Sequence, residues 1–187
     1  VAGIYDGEMT SSGVIVISSR PQGVVLAEGG VMVGIHLAPI KGERLLELRR
    51  GVEALGQENP RGVVSLGCVR LSRRFPLEPG FDDNVADLAS TLRALDRCLV
   101  ACANLVEFGG LQGAAFRFAV KAVCAIARPR AAVENFTRLS DAIVWMIPRA
   151  ERAGLRVDSA QIVRLYREAD RRLQAMDPGQ AKGASAA

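Results

Sequence analysis

Aromatic side chains make up only 5% of this 187-residue chain, and it carries a single histidine, His36. Nucleic-acid binding prefers interleaved aromatics and a higher net charge than the +4 found, so it is not expected. With one histidine no Ser/His/Asp set can be proposed except by chance, and GxSxG, HExxH and GxxxxGK[ST] patterns are missing. No enzyme activity, metal centre or cofactor is therefore expected. The four cysteines, Cys68, Cys98, Cys102 and Cys124, lie inside apolar runs and none forms a CxxC pair. Buried reduced thiols are the expectation, and with no signal peptide visible they point to the cytoplasm. No apolar run reaches the roughly 18 residues of a membrane span, because Arg117 and Lys121 interrupt the best candidate. A soluble protein without a transmembrane segment is expected.

What is present is an aliphatic chain with clear punctuation. Nearly half of the residues are apolar. Residues 13–154 read as one α/β domain, with 1–12 as a lead-in, 155–176 as an added C-terminal helix and 177–187 as a disordered tail. Three apolar runs, Gly13–Ser18, Val24–Glu28 and Val31–Ile40, are separated by turn compositions and predict an antiparallel meander. His36 falls in the third run and reads as a packed strand residue. Leu45, Leu48, Val52 and Leu55 share one helical face, Asn59-Pro60 ends that helix, and Arg61–Leu71 reads as a buried strand.

The centre of the chain is a strand–helix–strand–helix unit over Cys98–Met146. An apolar run closes at Gly109-Gly110, a helix covers Leu111–Ala127, AAVENF forms a short strand, and a helix begins near Thr137. The pattern from Val85 to Leu99 is helical, and a break is expected near Arg97, where the polar face disappears. Pro148 limits the following helix or kinks it. Asp158 and Gln161 stand in capping-box position at the start of the last helix, with Ile162, Leu165, Ala169 and Leu173 as its apolar stripe. The fold class is thus α/β: a mixed sheet with an N-terminal antiparallel meander and parallel βαβ units covered by helices, plus a C-terminal helix.

Two stretches are candidate sites. Ser72–Asp83, with Pro76, Pro79 and Gly80, is the only long irregular connection, and it leaves the carboxyl end of a strand, where open α/β sheets bind ligands and partners. Arg70, Ser72, Arg73, Arg74, Phe75, Asp82 and Asp83 are its candidate partner-binding residues. Gly109, Gly110, Gln112 and Gly113 open a helix after a strand, where a nucleotide phosphate is held in other folds, although the full dinucleotide fingerprint is missing. The basic clusters at Arg70, Arg73 and Arg74, at Arg128 and Arg130, and along the final helix read mainly as solvated faces; an acidic protein or a membrane surface is their more credible use.

The order of elements, together with Arg117 and the stretch Phe136 to Met146, resembles the STAS superfamily, the sulfate-transporter and anti-sigma-factor-antagonist domains, in particular its SpoIIAA-like branch. The likeness lies in an aromatic closing the last strand and in an Ala-x-x-Trp pattern, Ala142 and Trp145, on the helix after it. The resemblance implies a non-catalytic regulatory or scaffolding module that binds a protein partner through the loop and helix after the central strand, with a homo-oligomer compatible. The alternative is a small-ligand domain, for a nucleotide or lipid, at the Gly109–Gly113 turn and the core beneath. Signalling members carry a phosphorylatable hydroxyl where this helix begins Phe81-Asp82-Asp83-Asn84, so a kinase-controlled switch is not implied.

Overall fold

Strand periodicity and turn chemistry build a hairpin ladder at the amino-terminal side. In the computed structural model, which describes residues 8–9, 13–38, 40–70 and 85–176, β1 (Glu8–Met9), β2 (Ile15–Arg20), β3 (Gly23–Glu28) and β4 (Val31–His36) pair antiparallel in chain order. Arg20 faces Gly23 and Glu28 faces Val31, so Pro21-Gln22 and Gly29-Gly30 are the two-residue turns of a meander. β2 extends through Ser18-Ser19-Arg20 after a register shift between Val16 and Ser18. Its polar end is held by the next helix: Ser18 Oγ donates to Glu47 at 3.3 Å, and Arg20 also pairs with Glu47.

The rest of the chain alternates helices and strands: α1 (Glu43–Glu58), β5 (Val63–Val69), α2 (Val85–Leu95), β6 (Leu99–Val106), α3 (Gly110–Ala127), β7 (Ala132–Phe136), α4 (Leu139–Arg152) and α5 (Ser159–Met176). β4 through β7 pair in parallel, and the seven strands among the described residues lie side by side in sequence order. The expected mixed sheet with a meander, parallel units and C-terminal helices is present. A sheet that advances in one direction with right-handed crossovers must place every crossover helix on the same face. Accordingly α1 packs beside α2 and α2 beside α3, while α4 and α5 cover the opposite face.

Local chemistry sets the element ends. The break near Arg97 is a turn, with the Cys98 N–H donating to Leu95 O at 3.0 Å, and Asp96 Oδ1 accepts the N–H groups of Arg130 and Ala131 at 2.5 and 3.0 Å. That carboxylate joins the end of α2 to the start of β7. Pro148 does not stop α4, which continues to Arg152. The helical hydrogen bond it forfeits belongs to the carbonyl of Val144, a residue on the outer side of the helix where water can replace the lost donor. At α5 the Gln161 N–H donates to Asp158 Oδ1 at 2.7 Å, as a cap requires, but the Gln161 side chain donates to Glu28 O at 3.0 Å. The cap thereby also fastens α5 to the β3–β4 turn.

The two faces of the sheet are packed differently. Towards α4 and α5, Leu26, Val33, Ile35, Leu66, Ala103 and Leu105 join Met146, Ile162 and Leu165 in one continuous buried cluster. Ala101 and Ala103 on β6 meet Ala142 and Ala150 on α4, and these small side chains let helix and strand approach closely. The stripe Ile162, Leu165, Ala169 and Leu173 makes α5 part of this core. Towards α1–α3 the buried residues form two separate clusters, one around Val52, Leu55 and Met32 and one between α2 and α3 at Ala89, Val123 and Ala127.

Leu165, fully buried beneath α5, should cost roughly 2–5 kcal/mol when replaced by alanine, whereas Val144→Ala on the outer side of α4 should change stability by about 0.5 kcal/mol or less. Urea unfolding measures both. Equal, small effects would mean that α5 is an appendage rather than a layer of the core.

Candidate functional site

Parallel register brings small and polar residues together under α1–α3. Gly34 on β4, Gly67 on β5, Asn104 on β6 and Asn135 on β7 form one cross-sheet row, and Met32, Ser65, Cys102 and Val133 form the row before it. The same strands send Val33, Ile35, Leu66, Ala103 and Leu105 to the other face. Gly67 leaves a gap in the side-chain layer beside Gly34, whose own place is taken by the His36 imidazole, and the helices above do not close it. The result is a cavity of about 210 Å³, walled by residues such as Leu48, Val52, Leu88, Leu92, Phe116 and Val120 and floored by Gly34, Gly67, Ser65, Cys102 and Asn104. It lies towards the carboxyl ends of the parallel strands, where crossover connections leave room for ligands.

Gly34 and Gly67 are needed for different reasons. A Cβ at residue 34 would come within 2.7 Å of His36 Nε2, so the imidazole occupies the space that any larger side chain would take. A Cβ at residue 67 would meet only Asn104 Oδ1, at 3.6 Å, so that glycine contributes open volume.

His36 ends β4 on the cavity side and is buried. Burial, reinforced by the neighbouring Arg44 guanidinium, lowers its pKa to about 3. Arg44 Nη2 stands 3.4 Å from His36 Nδ1. Since a guanidinium can only donate, Nδ1 is the acceptor and the proton of the neutral ring sits on Nε2, above Gly34. The cavity thus contains an uncharged N–H donor from His36 together with the hydroxyl of Ser65 and the carboxamide of Asn104. In the same row the Asn135 Oδ1 atom is buried and has no hydrogen-bond partner. Burial pushes the Cys102 thiol up to about 12, so at neutral pH it is a protonated, unreactive group in the floor. Cys68, on the other face, is likewise pushed up to about 12 by burial, and all four cysteines are free thiols.

Of the loop residues singled out from sequence, only Arg70 is described; Ser72, Arg73, Arg74, Phe75, Asp82 and Asp83 lie outside the described residues. Arg70 leaves β5 at the rim of the cavity, and its guanidinium is engaged within the chain. It pairs with Glu107 at the end of β6 and with Asp170 on α5, and its Nη2 donates to Tyr166 Oη at 2.6 Å. Tyr166 in turn donates to Glu107, and burial together with that bond raises the phenol pKa. The cluster clamps α5 to the carboxyl edge of the sheet.

At the glycine turn, Gly109 and Gly110 are exposed, and Gly110 has φ +66°, a backbone angle that glycine adopts without strain. A Cβ at residue 113 would lie 2.5 Å from Phe108 O, so Gly113 permits α3 to leave its strand closely. Gln112 is exposed beside them. The geometry accounts for Gly110 and Gly113 but places no demand on Gly109, and this turn is not among the cavity-lining residues. Among the described residues no group of three or more His, Cys, Asp or Glu side chains is placed to hold a metal ion.

The cavity was hidden in the sequence because its floor comes from three strands. Only a glycine within each of two otherwise aliphatic runs, Gly34 and Gly67, hinted at missing volume. No family model, curated protein or solved structure matches the chain.

The folded chain keeps His36 neutral down to about pH 3, whereas an unfolded histidine takes up its proton near pH 6.5. Between those values the unfolded state binds more protons, so this contribution is complete above about pH 6.5 and is lost as the pH falls towards 3. Urea unfolding at pH 7 and pH 5 should show the stability advantage of wild type over His36→Gln shrinking by roughly 2 kcal/mol. An unchanged difference would mean that His36 is solvated rather than buried.

Proposed function

We propose that this domain binds a small, uncharged, mostly apolar molecule in the cavity between the sheet and α1–α3. The observation that carries the reading is the cross-sheet row in which Gly34 and Gly67 remove side chains next to Asn104, beneath an otherwise aliphatic wall. A volume of about 210 Å³ exceeds the roughly 150 Å³ that accepts a benzene-sized guest and is smaller than the ~300–1,000 Å³ of drug-sized sites. One ring or a short aliphatic chain fits it. The neutral His36 N–H, Ser65 and Asn104 suit a single polar head such as a carboxamide, and a neutral histidine offers no charge to balance a carboxylate or phosphate. This moves the small-ligand reading from the Gly109–Gly113 turn to the core beside it.

The STAS-like regulatory reading adds a protein partner to the same site. It is supported by the succession of β4 to β7 in chain order with a helix between each pair, and by the end of the sheet. There Phe136 on β7 meets Trp145 on α4, with ring centroids 5.5 Å apart, while Ala142 is fully buried beneath the helix. α2, which follows residues 71–84, supplies Leu88, Leu92 and Leu95 to the cavity wall. A guest in the cavity therefore touches the helix that follows the residues assigned to the partner.

Benzamide and hexanamide serve as probes. Either should bind the wild type in ligand-observed NMR and raise its unfolding temperature, and Gly67→Val, which adds methyl groups to open volume, should weaken binding by about tenfold or more while keeping the fold. Equal binding by the variant, or no binding together with no co-purifying small molecule in native mass spectrometry, would remove the cavity as a site. For the partner reading, a Gly/Ser replacement of residues 72–83 should lose a protein that co-purifies with the native chain; an identical set of co-purifying proteins would reject it.

A further inference from the structure

The outward face of α3 takes no part in the cavity or in the core. Leu111, Phe118 and Ile126 on it are 87%, 73% and 51% exposed, and Ala114, Ala115 and Ala125 lie exposed between them. The inward residues Gly113, Ala119, Val123 and Ala127 are buried, and the α2–α3 cluster includes Val123 and Ala127. Phe116 and Val120 turn towards the cavity. By length and composition α3 is long and apolar enough to cross a bilayer, but its packing against α2 ties it to the domain as a surface helix.

Charge accompanies this apolar face. Arg117 and Lys121 stand along one edge of it, Arg128 and Arg130 follow its carboxyl end, and residues 108–133 contain no Asp or Glu. The carboxylates on either side are turned to other tasks. Glu107 is held by Arg70 and Tyr166, Asp96 accepts the backbone of Arg130 and Ala131, and Glu134 accepts the N–H of Asn135 at 3.0 Å.

We propose that the outer face of α3 docks on an anionic lipid surface, with Leu111, Phe118 and Ile126 inserted among the acyl chains and Arg117, Lys121, Arg128 and Arg130 over the headgroups. A helix lying in the interface needs bulky apolar residues on its exposed side and cations at its edge, and this face supplies both. The bulky residues are spaced seven and eight apart along the helix, with alanines between them, so the face offers separate apolar projections. A second copy is the less suitable occupant. Two-fold pairing through Phe118 would bring the mid-helix cations Arg117 and Lys121 of both copies together with no carboxylate to answer them.

Co-sedimentation of the full chain with vesicles tests the assignment. The chain should bind vesicles of phosphatidylcholine containing about 30% phosphatidylglycerol at about 0.1 M salt, bind phosphatidylcholine alone much more weakly, and be released at about 1 M salt. Phe118→Glu should reduce partitioning by about tenfold or more, and Lys121→Glu by at least about fivefold. Both residues are exposed, so circular dichroism should show an unchanged fold. Equal sedimentation with the two vesicle types, or full binding by Phe118→Glu, would overturn the proposal. So would a concentration-dependent dimer that Phe118→Glu dissolves, which would give the face to a second copy.

Discussion

The handedness of the strand–helix–strand crossover constrains everything else in this molecule. Because β4, β5, β6 and β7 lie side by side in chain order, right-handed connections put α1, α2 and α3 on one side and leave the other side to α4 and α5. The two layers then serve different ends. α4 and α5 are laid down after the sheet is complete and close it with one continuous aliphatic core. The crossover helices must each span from the end of one strand to the beginning of the next, and α2 and α3 meet each other more than they meet the sheet. Small and polar residues on that face of the strands turn this loose fit into a cavity.

Much of the architecture was legible in the residues, because it follows from local rules. Gly29-Gly30 produces a two-residue turn, the lost polar face after Arg97 becomes a strand, and Asp158 caps α5 as its spacing to Gln161 requires. Pro148 was less decisive. A proline stops a helix by removing one donor and crowding one turn, and α4 survives it where the forfeited carbonyl is on the side of the helix that faces water. His36 is a packed strand residue, as its apolar neighbours imply, but its link to Arg44 and its place over Gly34 depend on contacts that no linear spacing encodes. The site behaves in the same way. Gly34, Gly67, Asn104 and Asn135 are separated by about thirty residues each and become neighbours only when parallel register is set.

Electrostatics in this chain acts chiefly as internal fastening. Arg70, Glu107, Asp170 and Tyr166 lie on a strand end, the end of the next strand and the last helix, and their mutual bonds hold α5 over the carboxyl edge of the sheet. Arg164 pairs with Glu28 near the other end of the same helix, beside the Gln161 contact. A partly buried, multiply bonded arginine contributes more than an exposed pair, because its partners would be left unsatisfied without it. Among the described residues the basic side chains around α3 make no comparable pairs, and this contrast separates the structural arginines from those facing outward.

A sheet whose spatial order is its chain order can be assembled vectorially. Each new strand finds its partner already in place at the growing edge, so no strand must be inserted between two others and pairing needs only the closure of one crossover at a time. The cover arrives last. Until α4 and α5 have been synthesised, the face that presents Val33, Leu66 and Ala103 has nothing over it, and this largest apolar surface is the one most open to wrong association during synthesis. In that order of assembly the C-terminal helices close the sheet as well as form a layer of the finished core.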